Sequence, residues 1–157
     1  SSFGKTYHVT GWKVGYCVAP PALTKELRRL HQYVTFTVNT PVQLGIADFL
    51  QLHPEHHQQL PAFYQAKRDQ FCELLQGSRF TVVPSQGTYF QLLGYDAISA
   101  ESDVSLARRW TREQGIASIP ISVFYQSPEV CRHRALRFCF AKDDNTLAKA
   151  ADILCRL

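Results

Sequence analysis

The sequence has no methionine, not even at its first residue, and it opens in the middle of its most informative motif, with Ser2 only three residues before Lys5. Both features lead us to expect that these 157 residues are the second half of a longer polypeptide. No apolar run approaches the ~20 residues that a membrane-spanning helix needs. No signal-peptide pattern is present, so no membrane partner is expected. The net charge of +4 is mild and comes with no Lys/Arg run or basic-aromatic face, which argues against nucleic acid as a partner. The five cysteines are odd in number and lack C-x-x-C spacing. They read as free thiols of a reducing compartment, and so as cytoplasmic. Internal repeats and low-complexity segments are also missing. What remains is 45% hydrophobic and 19% charged, the balance of a globular protein with a real core.

The decisive stretch is Ser2 to Tyr16, SFGKTYHVTGWKVGY. Lys5 and Lys13 lie among small and β-branched residues and not on a charged helical face. Gly11 and Gly15 bracket Lys13, and glycine is the usual residue where backbone turns sharply or approaches a ligand closely. Trp12, Val14, Tyr16 and Val18 alternate with Lys13, Gly15, Cys17 and Ala19, which predicts a strand ended by Pro20 and Pro21. Lys13 would then start that strand, and Lys5 would lie in the loop before it. Three functional readings meet here. Gly4-Lys5-Thr6 could be the tail of a phosphate-binding loop, but such a loop must open a helix, and Val9-Thr10-Gly11 is a poor start for one. The two lysines could merely flank a surface turn. Or Lys5 could form a Schiff base, with Lys13 as a second cation for a phosphate. That chemistry needs a primary amine able to lose its proton, while a phosphate needs hydroxyl, amide and cationic partners.

The whole string resembles the cofactor-lysine signature of fold-type I pyridoxal-phosphate (PLP) aminotransferases. The variant Lys-Thr-Tyr-His-x-Thr-Gly-Trp-Lys-Val-Gly-Tyr resembles their kynurenine and methionine aminotransferase branch. Most of the wider family has arginine where this chain has Lys13. The resemblance implies PLP as cofactor, tethered covalently to Lys5, with Ser2 and Lys13 on its phosphate. It implies transfer of an amino group between an amino acid and a 2-oxo acid, in a homodimer. A lyase on the same fold and a catalytically inactive small α+β module are the alternatives. The family's remaining cofactor contacts, an acid at the pyridine nitrogen and an aromatic on the ring, come earlier than this stretch. The chain alone is therefore expected to be inactive without the N-terminal half.

Further along, Leu23, Leu27, Leu30 and Val34 form one stripe of a helix that Thr24 could cap. Thr35 to Thr40 should be extended, and Pro41 should start a second helix through about Gln51. His53, His56 and His57 share a helical face and invite a metal reading, set against a solvated helix start beginning with Pro54 and Glu55. No metal is expected. Pro61 should kink or restart a helix that runs on to Gln76. Beyond it, strands are predicted at 79–83, 88–93, 116–119 and 134–141, with helices at 101–114 and after Asp143 or Asp144.

In Ala135-Leu136-Arg137-Phe138-Cys139-Phe140-Ala141, Leu136, Phe138 and Phe140 must face the core. Arg137 lies on the opposite face between small residues. It could snorkel along a wet strand, or reach out to grip a carboxylate bidentately. The resemblance extends to this segment, where the family's arginine binds the substrate α-carboxylate. Gly87-Thr88-Tyr89-Phe90 resembles the family's strand start beside the substrate side chain, which makes Tyr89 a candidate there, weaker than Arg137 because an aromatic at a strand start is usually core. Arg132 and Arg134 match nothing and are assigned to solvent. The expected class is α/β, namely the C-terminal part of the PLP-dependent transferase fold. Residues 1–60 would end the large cofactor domain, and residues 61–157 would form the small α+β domain.

Overall fold

The computed structural model describes all residues, 1–157, in two compact units, Ser1–Pro61 and Ala62–Leu157. In the first unit a single-turn helix, α1 (Phe3–Thr6), is capped by Ser2, whose Oγ accepts the Gly4 N–H at 3.1 Å. A 3₁₀ turn at Thr10–Trp12 follows, and Lys13 leaves it with left-handed backbone (φ 55°). The strand expected from Trp12 to Val18 does not form. Left-handed backbone at Lys13 breaks the extended run, and only Gly15 pairs, as an isolated antiparallel bridge to Ser2. Lys5 accordingly stands on a helical turn and not in a loop.

Helix α2 (Pro21–Val34) begins at Pro21, whose missing N–H costs nothing in a first turn. Thr24 is not its cap; its hydroxyl donates to the Ala19 carbonyl at 3.0 Å. The Leu23–Leu27–Leu30–Val34 stripe exists, but it is exposed along its whole length. Phe36 is left-handed, so the linker is not uniformly extended. Helix α3 (Thr40–Leu52) is capped by Asn39, whose Oδ1 accepts the Val42 N–H. Helix α4 (His56–Leu74) continues through Pro61 as one helix. The expected restart is absent because the bond that proline forfeits would go to His57, an exposed first-turn residue whose carbonyl water can serve. Only Gly4, Val14 and Ile46 are buried in the whole first unit.

The second unit has a four-stranded antiparallel sheet in the order β1-β2-β4-β3. The strands are β1 (Thr81–Val82), β2 (Phe90–Gly94), β3 (Ile119–Pro120) and β4 (Ala135–Cys139), all shorter than predicted. Helix α5 (Asp103–Glu113) connects β2 to β3, and α6 (Asp144–Cys155) closes the chain. Asp143 is the α6 cap, accepting the Thr146 N–H at 2.8 Å. Period-two alternation puts Leu93 opposite Leu136 on one face. That face, with Phe138 and Phe140, packs on Phe71, Trp110, Leu106, Leu147 and Leu154. Each such side chain contributes roughly 1.5–3 kcal/mol of burial. Arg134, assigned above to solvent, instead ties this unit together. It lies over the Tyr95 ring at 5.2 Å, pairs with Asp96 at 3.2 Å, and donates to the carbonyls of Ser99 and Glu101.

Candidate functional site

In the first unit the backbone brings the motif's two ends together. The Ser2–Gly15 bridge is flanked by Phe3 N–H to Val14 O at 3.1 Å and Tyr16 N–H to Ser1 O at 2.8 Å. Gly15 is required there, since a Cβ would come within 2.5 Å of the Ser1 carbonyl. Lys13, two residues back, is thereby carried beside the segment that bears Ser2, with Lys5 one helical turn on. The Thr10 hydroxyl donates to the Gly4 carbonyl at 3.1 Å and closes the intervening loop.

Behind the motif, Tyr7 stacks on His56 at 5.3 Å and meets the Phe49 ring edge-on at 5.7 Å. His56 Nε2 lies 2.8 Å from the Thr6 carbonyl. His56 is thus half-buried in the support of α1, and not a solvated helix start as expected. His53 turns instead toward Glu55 at 3.6 Å.

Ser2, Lys5 and Lys13 are all exposed. A primary amine, a hydroxyl and a second ammonium on adjoining segments suit an aldehyde that carries a phosphate: amine for carbonyl, hydroxyl and cation for dianion. The donor set therefore fits PLP. A phosphate-binding loop of the nucleotide type does not fit, because α1 ends after one turn.

In the second unit, Arg137 projects from β4 on the face opposite the core, paired with Leu92 of β2 and Ile119 of β3. Its guanidinium carbon lies 4.6 Å from the Phe90 ring centroid and 5.2 Å from that of Phe124. No acidic side chain pairs with it. A guanidinium held by aromatic rings keeps its planar fork free for a carboxylate. Tyr89 packs at the margin of the core, edge-on to Phe90 at 5.6 Å, and its carbonyl accepts the Phe140 N–H at 3.0 Å. Nearby, burial pushes the Tyr64 hydroxyl pKa up, with Cys139 and Tyr89 adding to the effect. Sequence reasoning missed Phe90 and Phe124 as neighbours of Arg137. Phe90 was legible as its cross-strand diagonal neighbour, but Phe124 lies in an aperiodic loop and carries no such signal.

A sequence model of the family "Aminotransferase class I and II" matches residues 1–154. The chain belongs to the class I and II aminotransferases. It is 52% identical to the methionine aminotransferase of Escherichia coli (strain K12) over 157 residues, which are 100% of this chain and 40% of that protein. It is 35% identical over 175 residues to a kynurenine–oxoglutarate transaminase of Dictyostelium discoideum, covering 99% of this chain and 40% of the relative. An E. coli crystal structure reported to identify a methionine aminotransferase function superimposes with a TM-score of 0.92 at 51% identity, over 99% of this chain and 41% of its own. The chain thus spans about 40% of the length of the relatives it matches. The α/β class expected from the sequence, the C-terminal part of the aminotransferase fold, is what this aminotransferase chain has.

Proposed function

We propose that this chain is the C-terminal part of a PLP-dependent aminotransferase that moves an amino group between an amino acid, such as methionine or an aromatic one, and a 2-oxo acid. It works with the N-terminal portion that its relatives have, as a homodimer in the cytoplasm. The observation that carries the proposal is the donor set Ser2, Lys5 and Lys13, closed by the Ser2–Gly15 bridge, in a chain 52% identical to a methionine aminotransferase. Residues 1–60 would complete the large domain, consistent with a first unit that buries only three of its residues. Residues 61–157 would be the small domain. No helix is long and apolar enough to cross a membrane, and all five cysteines are free.

Bound PLP would supply the electron sink that stabilises charge at the substrate α-carbon. Lys5 Nζ would hold the cofactor and, once released, move a proton between the substrate α-carbon and the cofactor's C4′ carbon, outward in one half-reaction and back in the other. Ser2 Oγ and Lys13 Nζ would anchor the phosphate, and Arg137 the substrate α-carboxylate. Tyr89 would border the substrate side chain.

The test joins this chain to the N-terminal portion of its relatives. Borohydride treatment with PLP should fix a pyridoxyl group on Lys5 and not in Lys5→Ala. Methionine with a 2-oxo acid should give the paired amino acid and oxo acid. Release of ammonia or a cleaved side chain would favour a lyase, and an unmodified Lys5 would favour a non-enzymatic module. Turnover by the 157-residue chain alone would refute the need for the missing portion.

A further inference from the structure

Asp103 is a buried carboxylate, 6% exposed, that the chemistry above does not use. No lysine, arginine or histidine pairs with it. Its Oδ2 accepts the Ser122 N–H at 2.7 Å, and its Oδ1 accepts the Ser122 hydroxyl and the Val104 N–H, both at 2.8 Å. Ser122 is also buried and begins the 3₁₀ turn Ser122–Phe124. Burying a carboxylate without a paired cation is costly, and hydrogen bonds at a helix start offset that only in part. The other attachment of the turn is β3, just two residues long. At the end of the turn, the exposed Phe124 ring reaches the Arg137 guanidinium.

We propose that Asp103 and Ser122 form a latch that fixes the Ser122–Phe124 turn, and that Phe124, with Phe90, sets the orientation in which Arg137 receives a carboxylate. Asp103, Ser122 and Phe124 are positioning residues, and the inference rests on reading Arg137 as the carboxylate-binding group. A flexible guanidinium must be ordered each time it binds, whereas one already docked on two rings has met part of that cost. Ser122→Ala removes one latch bond and leaves the backbone N–H in place. Phe124→Leu removes a ring from an exposed position and leaves the core intact.

The experiment uses the longer enzyme, and compares Ser122→Ala, Phe124→Leu, Phe124→Tyr and Arg137→Lys. In the ligand-free protein, rotation about the Arg137 Nε–Cζ bond, read by NMR, should quicken roughly two- to fivefold in Ser122→Ala and Phe124→Leu, the range set by one exposed cation–π contact. KM for the carboxylate substrate should rise by a similar factor with kcat nearly unchanged, while affinity for the substrate's carboxamide analogue stays constant. Phe124→Tyr, which keeps the ring, should restore both. Unaltered rotation and KM in Phe124→Leu overturn the proposal, even if Ser122→Ala fails to fold. If Arg137→Lys leaves carboxylate affinity unchanged, the assignment of Arg137 itself falls. If that variant loses affinity while the others do not, only the latch falls.

Discussion

Gln91 is fully buried on β2, on the same face as Leu93 and opposite Phe138. Its amide serves the backbone around Val83–Ser85. Oε1 accepts the Ser85 N–H at 2.9 Å, and Nε2 donates to the carbonyls of Val83 at 2.6 Å and Leu92 at 2.9 Å. Gln91→Leu keeps the volume, so it opens no large cavity, but it strips these groups of their partner. A buried group left unpaired costs about 1–3 kcal/mol. The Ser85 N–H bears most of that, because Val83 is exposed enough for water to reach its carbonyl. Leucine's greater gain on burial returns about 1 kcal/mol. The expected net loss is about 1 kcal/mol, a measurable share of a domain's usual 5–15 kcal/mol. Urea unfolding should be followed by Trp110 fluorescence in a Trp12→Phe background, since Trp110 lies in the core and Trp12 is half-exposed. The midpoint should fall with an unchanged m-value. The carboxyl introduced by Gln91→Glu would have its pKa raised by burial, so that variant should be most stable in acid and weaken as pH rises through the folded-state value. An unshifted or higher midpoint for Gln91→Leu would refute the reasoning.

Three further outcomes are expected. Gly15→Ala forces a Cβ onto the Ser1 carbonyl and should part the Ser2–Gly15 bridge, seen as amide shift changes confined to residues 1–16 and as lost PLP binding in the longer enzyme. Asp143 has its pKa lowered by the hydrogen bonds from Thr146, so its share of stability is present above the unfolded-state pKa and lost as pH falls through the folded one. Acid unfolding of Asp143→Ala should accordingly show a shallower pH dependence than that of the parent chain. Burial pushes the Cys72 thiol up, so iodoacetamide should label it well after exposed Cys155, as followed by peptide mass spectrometry.

What the sequence disclosed follows from how local each interaction is. The Lys5–Lys13 motif, the Arg137 strand and the Asp143 cap depend on neighbours within a few residues, and all were legible. The supposed strand after Gly11 had the right alternation, but alternation alone supplies no partner strand and cannot reveal left-handed backbone at Lys13. Arg134 and His56 were given to solvent because their partners lie far along the chain, Glu101 being 33 residues from Arg134 and Thr6 being 50 from His56. The Phe124–Arg137 approach depends on a loop docking through Ser122, which no periodicity announces. The α2 stripe was legible as a stripe, but its exposure was not, because periodicity says nothing of what covers a face.

That bare stripe has a bearing on the life of the protein in the cell. With Leu23, Leu27, Leu30, Tyr33 and Phe36 all open to water, a polypeptide caught without its counterpart offers an adhesive surface to chaperones and proteases. Amino-acid changes there would register as lost abundance, and denaturation of the sheet-bearing half would give no warning of them.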